Sequence, residues 1–118
     1  PGYPAVGTHL PFLLDSARRY GITVEKLVEK ISLAPSKLFG VYPKKGTLLP
    51  GTDADLVIVD LYREEKVTAE RSASRSDFAL KGGESLIGWP VLVLKKGMPV
   101  TRERIALGQL PPSNYLSR

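Results

Sequence analysis

The hydrophobic rhythm of the chain changes near Val41. Before it, apolar residues recur at the spacing of a helix with one buried face; after it, they gather in short runs broken by Gly, Pro and Asp. The first pattern predicts helices and the second predicts strands joined by turns. The opening stretch "PGYPAVGTHL" carries too many prolines and glycines for helix or ladder bonding and reads as a loop. Pro11 suits the first turn of a helix over 11–20, with Phe12, Leu13, Leu14, Ala17 and Tyr20 at helical spacing. Arg18 and Arg19 favour its C-terminal dipole, and Gly21 is a stop. Thr23 caps a second helix over 24–32, striped by Val24, Leu27, Val28 and Ile31. Lys26 stands where a capping box would have Glu. "APSKLFG" predicts a short third helix with Pro35 in its first turn, Leu38 and Phe39 buried, and Gly40 at its end.

Beyond Val41, "GTLL" predicts a short strand and "PGTDA" a turn on Pro50 and Gly51. The run "DLVIVDL" is so continuously apolar that it predicts a strand covered on both faces. "KVTAE" reads as a shorter strand and "SASRSDFALKGG" as a loop. "WPVLVLKKGMPV" reads as a hairpin turning at Lys96-Gly97, and "GQLPPSNYLSR" as an extended tail. Helices first and strands second predict an α+β class rather than an alternating parallel sheet.

Length and composition narrow the function. The 118 residues suit one ordinary domain, and 42% apolar with 25% charged residues are globular values. A net charge of +5, with bases set beside acids and no aromatic-basic stripe, argues against a nucleic-acid partner. No apolar run approaches the roughly 20 residues of a membrane span, so no membrane partner is expected. With no cysteine, disulfides and thiolate metal sites are excluded, and a cytoplasmic setting is expected. A chain opening on Pro1 rather than Met is expected to be processed or cut from a longer one.

Candidate chemistry is sparse. His9 is the sole histidine, lies in a Gly/Pro-rich loop and reads as an ordinary loop or helix-entry side chain. A hydrolytic metal needs several converging ligands, which one histidine does not supply. Ser16, Ser32 and Ser36 have no partnered histidine. Lys44-Lys45 could take an anion but reads more simply as a solvated pair, and Gly82-Gly83 lacks the phosphate-loop pattern. Asp53 and Asp55 flank Ala54 at a strand entrance, where short carboxylates bond nearby backbone N–H groups, so their role reads as structural.

Five stretches together resemble one family: "PGYPAVGTHLPFLL", "ITVEKLVEKISLAPSKLFG", "YPKKGTLLPGTDADLVIVD", "SRSDF" and "GWPVLVLKKGMPV". They are similar, in order and spacing, to the C-terminal end of the cyclic-amide hydrolases of the amidohydrolase superfamily, the dihydroorotase, hydantoinase (dihydropyrimidinase) and allantoinase group. The resemblance implies the last loop and helices of a (β/α)8 barrel over 1–40, the C-terminal part of a small β-sandwich over 41–110, and a tail over 111–118. It implies a parent enzyme that hydrolyses a cyclic amide C–N bond with binuclear zinc, held by histidines, a bridging lysine and an aspartate that have no counterpart here. This chain alone would hold no cofactor and no catalytic residue, and would be inactive. The loop Pro1, Gly2, Tyr3 and Pro4 matches a family motif that lines the substrate pocket. His9, where the family commonly has glutamate, and Ala5-Val6-Gly7 depart from the pattern.

Without its barrel and sandwich partners, the stripe Leu13, Leu14, Leu27, Val28 and Ile31 and the strand edges would be exposed. Self-association, or binding to the remainder of the parent, is therefore expected. The alternative is a non-catalytic β-rich binding or assembly module derived from such an enzyme.

Overall fold

A computed structural model of the chain describes residues 4–70, 72, 75–108 and 110–112. It contains helix α1 (His9–Arg19), then α2 (Val24–Val28), a π-helical segment (Glu29–Leu33) and α3 (Ala34–Leu38) in immediate succession. Four strands follow: β1 (Leu56–Lys66), β2 (Ser85–Lys95), β3 (Met98–Arg102) and β4 (Ile105–Ala106), in the sheet order β1-β2-β3-β4. This is a small α+β arrangement, as the separation of helical and strand patterns predicts.

The chain divides into two compact units. Unit 1 comprises Pro1–Ile22 and Val59–Trp89; unit 2 comprises Thr23–Ile58 and Pro90–Arg118.

In unit 1, α1 begins two residues before Pro11, which falls in its first turn. The helix ends as Gly21 predicts. The Gly21 N–H bonds to the Arg18 carbonyl and the Ile22 N–H to the Ala17 carbonyl, a Schellman closure. Its buried face is Pro11, Leu14, Asp15 and Ala17; Tyr20, expected on the stripe, is exposed. The core gathers Val67, Leu86 and the fully enclosed Trp89, with Ala79 packed against them. The Trp89 Nε1–H donates to the Leu86 carbonyl at 2.8 Å, so the indole is buried without an orphaned donor.

In unit 2, Thr23 caps α2 as expected, its hydroxyl accepting from the Lys26 N–H at 3.3 Å. The helical run closes at Gly40, whose N–H reaches the Lys37 carbonyl while the Val41 N–H reaches that of Ser36. Leu38 and Phe39 are exposed, against expectation; Ser36 is the buried residue of α3. Gly46 explains the swap. It packs so tightly on Ser36 that a Cβ there would lie 2.2 Å from the Ser36 hydroxyl, and its φ is +81°. A close approach of this kind admits a small residue on each side and no large one.

The predicted "GTLL" strand does not form. Residues 46–49 are irregular, and the Thr47 carbonyl accepts from the Thr52 hydroxyl at 3.3 Å instead of from a neighbouring strand. The turn on Pro50-Gly51 is present, closed by the Thr52 N–H on the Leu49 carbonyl. The hairpin is also as predicted. Lys96 and Gly97 both have positive φ, the backbone of a type I′ turn, and pair Lys95 with Met98. A bulge between Val93 and Leu94 shifts the register. A second tight turn at Glu103-Arg104, again with two positive φ values, adds the unexpected two-residue β4.

The chain's two longest strands both exceed their predicted lengths. β1 runs on through residues 62–66, so "KVTAE" is not a separate strand: Lys66 ends β1 and Val67 is buried beyond it. The expectation that "DLVIVDL" is covered on both faces is not met, because Val57, Ile58 and Leu61 are exposed, as is Tyr62 at 91%. The apolar stripe divides as well: Leu14 and Leu27 are buried, whereas Val28 and Ile31 are exposed. Of the tail, residues 113–118 lie outside the described residues.

Candidate functional site

The sequence motif with a substrate-facing reading, Pro1 to Pro4, is described only at Pro4, which is half-buried; Pro1, Gly2 and Tyr3 lie outside the described residues. The loop after Pro4 is folded onto itself. The Ala5 carbonyl accepts the Thr8 N–H at 3.1 Å and the Thr8 hydroxyl at 3.3 Å. Thr8 is buried, and because its side chain turns back to Ala5 it does not cap α1. The loop is thus a shaped entry to α1. His9, the first residue of α1, is exposed.

Two polar arrangements stand out within the units, and neither was legible as such in the sequence. In unit 1, Asp15 is buried on α1. One of its oxygens accepts the Ile87 N–H at 3.3 Å and the other pairs with Arg19 at 2.6 Å. The i, i+4 spacing of Asp15 and Arg19 was the one available signal. In unit 2, Lys45 reaches across the turn to Asp53 and Asp55. Its Nζ lies 2.7 Å from the enclosed Asp53 Oδ2, an ion-pair contact off the angle of a hydrogen bond, and it also bonds Asp55. The other Asp55 oxygen accepts the Lys96 N–H at 2.8 Å. Lys45 is therefore not a solvated partner of Lys44, and the two carboxylates meet this lysine and, at Asp55, the sequence-distant Lys96 N–H rather than nearby backbone N–H groups.

The charges of this cluster reinforce one another. The Lys45 ammonium holds the Asp53 carboxyl below the usual carboxylate range, with Lys44 adding to the effect. Burial pushes Asp55 up, but Lys45 and the Lys96 N–H outweigh it, so Asp55 also lies low. Burial pulls Lys45 down, and its contacts with the two carboxylates more than offset this, leaving it raised.

Neither arrangement fits a hydrolytic metal. Lys45 occupies the space between Asp53 and Asp55, and Asp15 is satisfied by a backbone amide and a guanidinium. Among the described residues no three His, Cys, Asp or Glu side chains converge. Among the described residues no helix is long and apolar enough to cross a membrane.

Similarity to other proteins places the chain. It is 40% identical over 112 residues to the L-hydantoinase of Paenarthrobacter aurescens, an alignment covering 94% of this chain and 24% of that enzyme. It is 35% identical over 118 residues to the D-hydantoinase of Geobacillus stearothermophilus, covering 99% of this chain and 25% of that enzyme. In structure it matches the L-hydantoinase (dihydropyrimidinase) from Arthrobacter aurescens with a TM-score of 0.77 and 39% identity, over 83% of this chain and 22% of that one. The chain thus spans about a quarter of the length of the curated relatives it matches. Residues 5–88 match the Amidohydrolase family, and the chain belongs to that family.

Proposed function

We propose that this chain is the C-terminal part of a hydantoinase-type cyclic amidohydrolase, and that it serves the hydrolysis of a cyclic amide C–N bond only within the larger enzyme. The observation that carries the reading is the match of nearly the whole chain to about a quarter of two hydantoinases of opposite stereochemical name. On this reading 1–40 supply the last barrel loop and helices, 41–110 the C-terminal strands of the small β-sandwich, and 111–118 a tail. Pro1, Gly2, Tyr3 and Pro4 would line the substrate pocket of the complete enzyme. Its binuclear zinc would be seated by residues outside this chain, and the setting would be cytoplasmic.

The exposed apolar side chains support the partner half of the proposal. Val57, Ile58 and Leu61 on β1, with Val28 and Ile31 on the helical run, form surfaces that the remainder of the enzyme, or a second copy, would cover. The purified chain is expected to show no turnover of hydantoin or dihydroorotate with zinc present, and to gain turnover when the rest of the enzyme is supplied in trans. Turnover by the chain alone, or none after complementation, would refute the reading. Light scattering on the isolated chain is expected to show a dimer or larger species; a clean monomer would remove the self-association part.

A further inference from the structure

The turn of the β2–β3 hairpin is tied to a segment 41 residues earlier in the chain by more than strand pairing. The Lys96 N–H donates to the Asp55 carboxylate at 2.8 Å, and the Gly97 N–H donates to the Ala54 carbonyl at 2.9 Å. Those two amides sit in the turn itself, where a two-residue loop leaves them without strand partners. The segment that receives them is held in place from its other side. The Asp53 N–H bonds to the Lys44 carbonyl at 3.0 Å, and the Lys45 ammonium contacts both Asp53 and Asp55. Asp55 is thus the shared member: one oxygen faces the hairpin and the other faces Lys45.

We propose that Lys45, Asp53 and Asp55 form an acid-releasable latch that fixes the β2–β3 turn against residues 53–55. Among the described residues, the charged groups bearing on it are within unit 2. Lys45 lies between the carboxylates, Lys44 acts on Asp53, and Lys95 acts on Asp55. The Lys96 side chain is turned away, its Nζ donating to the Pro112 carbonyl at 3.1 Å. The two carboxylates are set among Lys45, Lys44 and Lys95, so each proton added to them removes a negative partner from those lysines. Protonation of both leaves Lys45 without a counter-charge in a half-enclosed position, and protonation of Asp55 weakens the acceptor of the Lys96 N–H.

The direction follows from linkage. Asp53 and Asp55 titrate below the ordinary carboxylate range in the closed form, so their contribution is complete above the unfolded carboxylate value. It is lost as pH falls through their depressed values. Lys45, raised in the closed form, contributes below the unfolded lysine value and loses its contribution as pH rises through its own raised value. The latch is therefore shut across neutral pH and opens first on the acid side.

Amide exchange in the full chain, read as protection factors against pH, tests this. Protection at the Lys96 and Gly97 amides is expected to fall about tenfold or more on acidification, with a midpoint below the ordinary carboxylate value. The Val67 and Gly83 amides of unit 1, each bonded to a backbone carbonyl at 2.9 Å, serve as references and are expected to keep their protection through that step. In Lys45→Met the midpoint is expected to move up, and in Asp55→Asn the Lys96 amide is expected to show low protection already at neutral pH. No acid step at Lys96 and Gly97 in the unaltered chain, a step shared with Val67 and Gly83, or an unmoved midpoint in Lys45→Met would each overturn the latch.

Discussion

Around Trp89 the chain excludes water with apolar side chains, whereas at Lys45 it holds a turn with three charges. Among the described residues, five of the six buried hydrophobic ones, Leu14, Ala17, Val67, Leu86 and Trp89, belong to unit 1, and Leu27 belongs to unit 2. Unit 2 compensates with polar fastenings: the Thr23 cap, the Gly46–Ser36 contact and the bonds that converge on Asp55. Apolar burial is non-directional and insensitive to pH, while a charge cluster has a geometry and a titration. The two units should therefore fail under different insults, a cavity in one and acid or a misplaced atom in the other.

The largest expected effect is on the apolar side. Trp89→Ala removes a fully enclosed indole and should destabilise the chain by about 3–5 kcal/mol. Denaturant melts followed by amide exchange would locate the loss. Protection at Val67 and Gly83 should fall more than at Lys96 and Gly97; equal losses would erase the contrast between the units.

Next in size is a steric insult to unit 2. In Gly46→Ala the added carbon would meet the Ser36 hydroxyl at 2.2 Å, the Ser36 Cβ at 2.5 Å and the Ser32 carbonyl at 3.0 Å. Overpacking of that kind costs roughly 1–3 kcal/mol, and the positive φ adds to it. Ser36→Gly in the same chain should recover part of the loss, because it removes two of the three overlaps and leaves the backbone strain. A Gly46→Ala chain as stable as the original would show that the 42–46 segment moves freely off the helix.

A smaller effect separates charge from hydrogen bonding in unit 1. Asp15→Ala strips the Ile87 N–H of its acceptor and should cost roughly 1–3 kcal/mol. Asp15→Asn keeps an oxygen there and loses only the pair with the exposed Arg19, a loss of about 1 kcal/mol or less. Equal melting of the two variants would mean that the ion pair, not the amide contact, is what Asp15 provides.

These residues also show which parts of the structure the sequence could reveal. Helix ends were readable because they rest on single local requirements: Thr23 to accept an N–H, Gly21 and Gly40 to close a Schellman turn. The hairpin was readable for the same reason, since Lys96-Gly97 meets a turn's demand for two positive φ values. The latch was not, because Lys45 and Asp55 lie ten residues apart in an irregular segment, where no periodicity relates one side chain to another. "GTLL" misled because two adjacent leucines suggest a strand whatever their backbone bonds to, and here the Thr52 hydroxyl takes the Thr47 carbonyl. Leu38 and Phe39 misled because apolar character says what a residue would prefer to bury, not whether this chain supplies the cover. The same holds for the DLVIVDL run. Of the Pro1–Pro4 loop, only the family resemblance hinted at a role, and three of its four residues lie outside the described structure.

The smallest expected effect tests how far unit 2 depends on local polar contacts. The helical run from Val24 to Leu38 buries only Leu27 and Ser36 among its side chains, so packing gives it little. Its first turn has free N–H groups that need acceptors, and the Thr23 hydroxyl supplies one at Lys26. Thr23→Ala should therefore cost about 0.5–1 kcal/mol, at the lower end for caps because the bond is exposed and 3.3 Å long. Thr23→Ser keeps the oxygen and should restore the loss, which separates the cap from any packing of the Thr methyl group. The readout is the protection of the Lys26 and Leu27 amides together with the denaturation midpoint. If Thr23→Ala leaves both unchanged, the run is held by burial at Leu27 and the Gly46–Ser36 contact alone, and the polar character assigned to unit 2 contracts to its latch.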